Sequence, residues 1–130
     1  MNTLCHLKRF VLLSLWSLCF GAGILPQDVP HKISFTFDYD FRVTPACSKE
    51  IVKKCVQGFI FYDISQGIAK RVKLGSMAVP AGASGLVQGI SATTEAMVFN
   101  PGRHRVAVAA QTVEGTESDL SKCNTIVQIP

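Results

Sequence analysis

The sequence predicts an all-β protein, an antiparallel two-sheet β-sandwich of about seven strands, and three observations predict it. In KISFTFDYDFRV, Ile33, Phe35, Phe37, Tyr39, Phe41 and Val43 fall on one side and Ser34, Thr36, Asp38, Asp40, Arg42 and Thr44 on the other, the period of two that marks a half-buried strand. Turn signals then recur along the chain at the spacing expected of a sandwich. No segment after the first 23 residues carries a convincing helical period. One sheet alone would leave its aromatic face wet, so a second has to cover it.

The opening segment, 1–23, reads as a signal peptide. Lys8 and Arg9 precede an apolar run from Phe10 to Phe20, followed by Gly21, Ala22 and Gly23, which is the order of basic start, hydrophobic stretch and small-residue cleavage site. The apolar run is about half the length that a membrane-spanning helix needs. Cleavage is expected after Gly23, leaving 24–130 as one domain and no stable membrane insertion. Leu18 before Cys19 is too bulky for a lipid-attachment site. Lys8 and Arg9 leave with the leader, so 11 basic residues then face nine acidic ones and the formal net charge falls from +4 to +2. That balance favours neither nucleic acid nor an anionic membrane surface.

Each strand follows from its residues. The aromatic stripe at 33–43 is expected to face the core, with Asp38 and Asp40 on a solvated face rather than in a calcium site. TPACSKEIVKKC (44–55) breaks the alternation and reads as a connecting loop with room for one helical turn. GFIFYDIS (58–65) is apolar on both faces and suits a central strand. AKRVKLGSMAV, with Val72 and Leu74 alternating against Arg71 and Lys73, reads as an edge strand guarded by lysines. PAGASG (80–85) is a loop by composition. LVQGI and EAMVFN form two short strands or one interrupted strand. Asn100, Pro101 and Gly102 reverse the chain. His104, Val106, Val108 and Ala110 then point one way, and Arg103, Arg105, Ala107 and Ala109 the other. EGTESDLS is a polar hairpin loop, and CNTIVQI is the last strand.

Cys47, Cys55 and Cys123 remain after cleavage, in a chain bound for an oxidising compartment. Three is odd, so one is expected to stay free, be blocked or pair with another chain. Closing Cys47 to Cys55 contributes roughly 2–3 kcal/mol by chain entropy, and a longer bridge to Cys123 roughly 4–5. Magnitude alone does not choose between them, because geometry must permit the bond. Zinc is not expected, since CxxC spacing is absent and His31 and His104 are distant in sequence.

No enzymatic constellation is evident, and the expectation is a protein without catalytic residues or cofactor. His31 and His104 are the histidines that survive cleavage, and neither sits in a G-x-S-x-G, H-E-x-x-H or papain-like context. A hydrolase using His104 is the weakest of the rival readings. The glycines of GASGLVQG lack the following lysine and strand-to-helix junction of a phosphate-binding loop. Glu114, Glu117 and Asp119 crowd one loop, but a calcium site wants more oxygen ligands than they promise.

MVFNPGRHRVAVAAQTVEGTESDLS (97–121) resembles the end of a fibronectin type III domain. Phe99, Pro101, Gly102, Val106, Val108, Ala110, Gly115, Glu117 and Ser118 match its apolar residue, proline-glycine turn, alternating valines and glycine-plus-ES loop. The resemblance extends loosely over the mature chain, with ISFTFDYD as the second strand and GFIFYDI as the third. Two positions depart from the family: the core tryptophan of the second strand is missing, with Phe35 or Phe37 in its space, and the tyrosine before the valines is His104. The resemblance implies a fibronectin type III or immunoglobulin-like sandwich, in which His104 either ties the turn through a ring nitrogen or sits half-buried and neutral. It also places the loops of Cys47 and Cys123 at one end, so a bridge to Cys123 is as feasible as the local Cys47–Cys55 bond, which is the expected one.

The end loops are the expected place for recognition, since a rigid sandwich carries binding groups there. Lys49, Lys53 and Lys54 on one loop and Glu114, Glu117 and Asp119 on another are candidate neighbours at one pole. The expected function is a secreted or periplasmic binding module for a protein or glycan partner. The alternative is an assembly subunit that associates through an edge strand or the odd cysteine.

Overall fold

The computed structural model describes the backbone of residues 6–14 and all of residues 29–130. The expected cleavage site after Gly23 lies outside the described residues. Seven strands run in the order β1 (His6–Ser14), β2 (His31–Asp40), β3 (Val56–Asp63), β4 (Val72–Ala78), β5 (Leu86–Thr93), β6 (Gly102–Thr112) and β7 (Asn124–Ile129). Short 3-10 turns occupy Ile68–Lys70 and Leu120–Lys122. The strands form two antiparallel sheets, ordered β1-β2-β5 and β4-β3-β6-β7. Among the described residues no helix is long and apolar enough to cross a membrane.

The aromatic stripe of β2 sets the core. Ile33, Phe35, Phe37, Tyr39 and Phe41 are all buried and meet β3 across the sandwich. Phe35 lies 4.5 Å from Phe61, Phe37 lies 4.9 Å from Phe59, and Tyr39 lies 5.1 Å from Phe59. Offset and edge-on rings at such distances each add about 0.5–1.5 kcal/mol beyond the area they bury. Val106, Val108 and Ala110 of β6 and Val127 and Ile129 of β7 complete this layer. As its two apolar faces require, β3 is internal, flanked by β4 and β6. Its outer face joins Ile60, Tyr62 and Ile64 to Ala107, Ala109 and Leu120 in a smaller apolar cluster. Gly58 is obligatory here, because a Cβ at that position would lie 2.6 Å from the Met77 carbonyl oxygen of β4.

Several expectations need correction. Val43 is 61% exposed rather than in the core, because β2 ends at Asp40 and a turn follows. Asp38 is buried, not solvated: its carboxylate accepts the Gly89 amide at 2.9 Å, where β5 takes a positive φ. Asp40 is also buried, and Arg42 grips both its oxygens at 2.6 and 2.8 Å. That side-chain contact, with the Arg42 amide, lowers its pKa to about 2. Val72 is exposed although Leu74 beside it is buried. Residues 44–55 form no helical turn; Ser48 instead bonds the amides of Glu50 and Ile51. Of the two short apolar runs at 86–99, the first is β5 and the second contributes one bridge, Met97 to His31.

Candidate functional site

The loop between β2 and β3 folds back on its own stem. Ala46 bridges Val56 in parallel, and Cys47 N donates to Val56 O at 3.0 Å. The Cys47–Cys55 disulfide then closes the loop, as expected. Cys123 is disulfide-bonded as well in the full chain, and it is buried in the core. The odd-cysteine expectation concerns the processed chain; in the full chain all three described cysteines are in disulfides, and a sulfur packed in the core cannot reach another molecule without unpacking it.

This loop meets the β6–β7 connection at one pole of the sandwich. Cys55 O accepts the Val113 amide at 3.1 Å, and the Glu114 carboxylate accepts the Lys54 amide at 2.7 Å. The Lys54 amide holds the Glu114 carboxyl below its ordinary value. Lys54 has a φ of 51°, a left-handed conformation rare outside glycine, and the bond to Glu114 holds the backbone there. Gly115, at φ 85°, supplies the positive φ expected of the hairpin loop. An open groove of about 320 Å³ runs between the two loops, lined by Val43, Thr44, Lys54, Thr112, Glu114 and Thr116.

The predicted charged residues divide. Lys54 and Glu114 meet, and Lys49 and Lys53 project from the same loop, exposed. Glu117 turns away to the outer face of the larger sheet, where it accepts the Tyr62 hydroxyl and lies 3.5 Å from Arg71. Burial, with the Glu117 carboxylate, raises the Tyr62 pKa. Asp119 caps the turn at Leu120–Lys122, and the Ser121 hydroxyl and amide lower its pKa. The pole carries a feature the sequence reading missed: Val43, Ile51, Val52 and Val113 are exposed on it, Val43 and Val52 at 61% each. Their signal was available as β-branched residues set among loop charges, but alternation assigned Val43 to the core.

At the opposite end His104 secures the Asn100–Gly102 turn. Its Nδ1 meets the Asp63 carboxylate at 2.7 Å and its Nε2 meets the Asn100 carbonyl at 2.6 Å. The Phe99 ring packs edge-on against it. Burial raises the Asp63 carboxyl, but the Ser65 hydroxyl and amide, with His104, outweigh this and leave it below its ordinary value. Ser65 donates to Asp63 rather than to His104, so serine, histidine and aspartate do not line up as nucleophile, base and orienter. Among the described residues no group of three or more histidine, cysteine or acidic side chains is arranged to hold a metal. Comparison with known proteins brings no match, whether to family models, to curated proteins or to solved structures.

Proposed function

We propose that the chain is a secreted or periplasmic fibronectin type III-like domain that binds a protein partner through the pole formed by residues 43–55 and 112–116, without catalysis. One observation carries this reading: Val43, Ile51, Val52 and Val113 stand exposed among Lys49, Lys53 and Lys54, on loops held by a disulfide and by the Lys54–Glu114 bond. Apolar anchors ringed by charge on a braced scaffold are the make-up of a protein interface. A protein is favoured over a glycan because all phenylalanines and tyrosines from residue 29 onward are buried, leaving no aromatic face there for a sugar ring to stack on. The lysines favour an acidic surface on the partner. The fold assignment draws support from two antiparallel sheets closed over one aromatic core.

The test uses the immobilised chain and proteins from its own source. A protein retained by the native chain and lost on Val52→Asp and on Lys53→Glu, with melting temperatures unchanged, supports the reading. Equal retention by both variants overturns it.

A further inference from the structure

The strand that closes one side of the smaller sheet comes from the segment that sequence reading assigns to the leader. β1 lies antiparallel along β2 from His6, opposite Asp38, to Ser14, opposite His31, with Arg9 opposite Thr36, Phe10 opposite Phe35 and Leu12 opposite Ile33. It also touches β7 of the other sheet, so one strand covers the gap between the sheets on that side. Cleavage after Gly23, where it precedes closure of the Cys123 disulfide, removes all of β1. What precedes β2 is then Ile24 to Pro30, seven residues that include Pro26 and Pro30. Seven residues cannot both reverse direction and lay down a replacement for the nine-residue β1, and each proline lacks the N–H that a ladder needs.

Main-chain alternation identifies the groups this uncovers. Thr94 N donates to Ile33 O, and Ile33 N donates to the Thr94 hydroxyl, so Ile33 turns its backbone toward the β5 side, and Phe35 follows it. Ser34 and Thr36 therefore turn theirs toward β1. Ile33, Phe35 and Phe37 lie alongside, fully buried in the complete chain. An unpaired edge over an aromatic core is a template for another strand.

We infer that the processed protein is a strand acceptor whose β2 edge takes up an extended segment of a partner protein. This rests on the proposed secretion and cleavage. The segment runs antiparallel to β2, is about as long as β1, alternates apolar side chains, and has no proline opposite Ser34 or Thr36. Asp38, opposite His6 in the complete chain, favours a basic residue at the segment's start. The occupant is a lone segment rather than β2 of a second copy. It has to fit where β1 touches both β2 and β7, whereas a second β2 arrives with its own β5 and β7 attached.

The experiment expresses the full chain in a secreting host, sequences the N-terminus of the product, and titrates it with a synthetic peptide of residues 6–14, HLKRFVLLS. The expected product begins near Ile24 and binds the peptide. Hydrogen exchange at the Ser34 and Thr36 amides slows at least tenfold on binding, while Ile33 and Phe35 change little. Thr36→Pro on the domain weakens binding at least tenfold, and so does Val11→Pro in the peptide, a change that leaves the domain untouched if the first variant does not fold. A folded product beginning near Ile24 that does not bind, or binds without protecting Ser34 and Thr36, overturns the acceptor and leaves secretion standing. A product beginning at Met1 overturns both, and the N-terminal sequence shows which has happened. Self-association without peptide that Thr36→Pro abolishes moves the occupant to a second copy and overturns the inference as stated.

Discussion

Phe37→Ala measures how firmly the two sheets are sealed together. Phe37 has no exposed surface, and its ring meets Phe59 at 4.9 Å and Phe61 at 6.1 Å, both nearly edge-on. A buried phenylalanine withdraws at least about 150 Å² from water, worth about 4 kcal/mol at 25 cal/mol/Å², of which the remaining alanine keeps part. Losing two edge-on ring contacts adds roughly 1 kcal/mol or more, and the cavity left behind adds to that unless β3 collapses into it. The expected loss is about 4 kcal/mol, within the range seen for phenylalanine truncations in cores. With a urea dependence near 1.3 kcal/mol/M, the unfolding midpoint falls by roughly 3 M at constant slope. Phe37→Leu, which keeps most of the volume, is expected to cost less than about 1.5 kcal/mol, and Val98→Ala, at an exposed position, less than about 0.5. A loss below about 1 kcal/mol for Phe37→Ala would mean that the ring is not enclosed and would refute the packing argument.

Gly115→Val is expected to cost about 1–2 kcal/mol through backbone strain alone, because φ is 85° and nothing lies within 4 Å of a new Cβ; an unchanged melting temperature would contradict this. Cys47→Ser with Cys55→Ser is expected to cost about 2–3 kcal/mol, read from urea midpoints with and without reductant, which should no longer affect the double variant at this loop. The depressed Asp63 carboxyl has the lower pKa in the folded state, so its contribution is complete above the unfolded carboxylate range near 4 and is lost as pH falls through the folded value. Asp63→Asn should therefore flatten the decline in urea midpoint below about pH 4, and an acid limb as steep as the native one would show that Asp63 contributes nothing to it. Lys54→Gly should leave stability unchanged or raise it by up to about 1 kcal/mol, since φ is 51° there; a clear loss would mean that the lysine side chain, not the backbone bond to Glu114, holds the turn.

The core was legible because several signals agree at the same residues. In β2, alternation, aromatic content and flanking turns all point to one buried face, and four of its five core residues in 33–41 are aromatic. Apolar residues on both faces of β3 placed it in the sheet interior for a similar reason. Where the reading failed, the deciding partner was remote in sequence or the alternation ran on past the end of the strand. Asp38 is buried against Gly89, 51 residues away, and nothing near Asp38 announces that bond. Val43 continues the alternation by one step after the strand has ended. At the loop pole the lysines and acids were expected as neighbours, but of the acids Glu114 alone meets that lysine loop, through the Lys54 amide, and Glu117 is drawn to Tyr62.

The distribution of polar satisfaction supports placing the proposed recognition at the pole and the edge rather than on the sheet faces. On the smaller sheet, Ser34 pairs with Thr93 at 2.9 Å and Thr36 lies 3.5 Å from Ser91, a row of hydroxyls already paired across the strands. On the larger sheet, Tyr62, Arg71 and Glu117 close over the apolar cluster beneath. A partner docking on either face would have to displace bonds that are already made, and each such exchange returns little. At the pole, by contrast, covering Val43, Ile51, Val52 and Val113 removes aliphatic surface from water and asks only the exposed lysines to find acidic partners. Along β2 of a processed chain, a strand gains main-chain bonds and encloses aromatic rings in one step. The two places therefore make different demands, one for an apolar surface with acidic groups and the other for an extended segment. A single partner that used both would lose affinity on Val52→Asp and on Thr36→Pro alike, whereas two separate partners would each respond to one variant only.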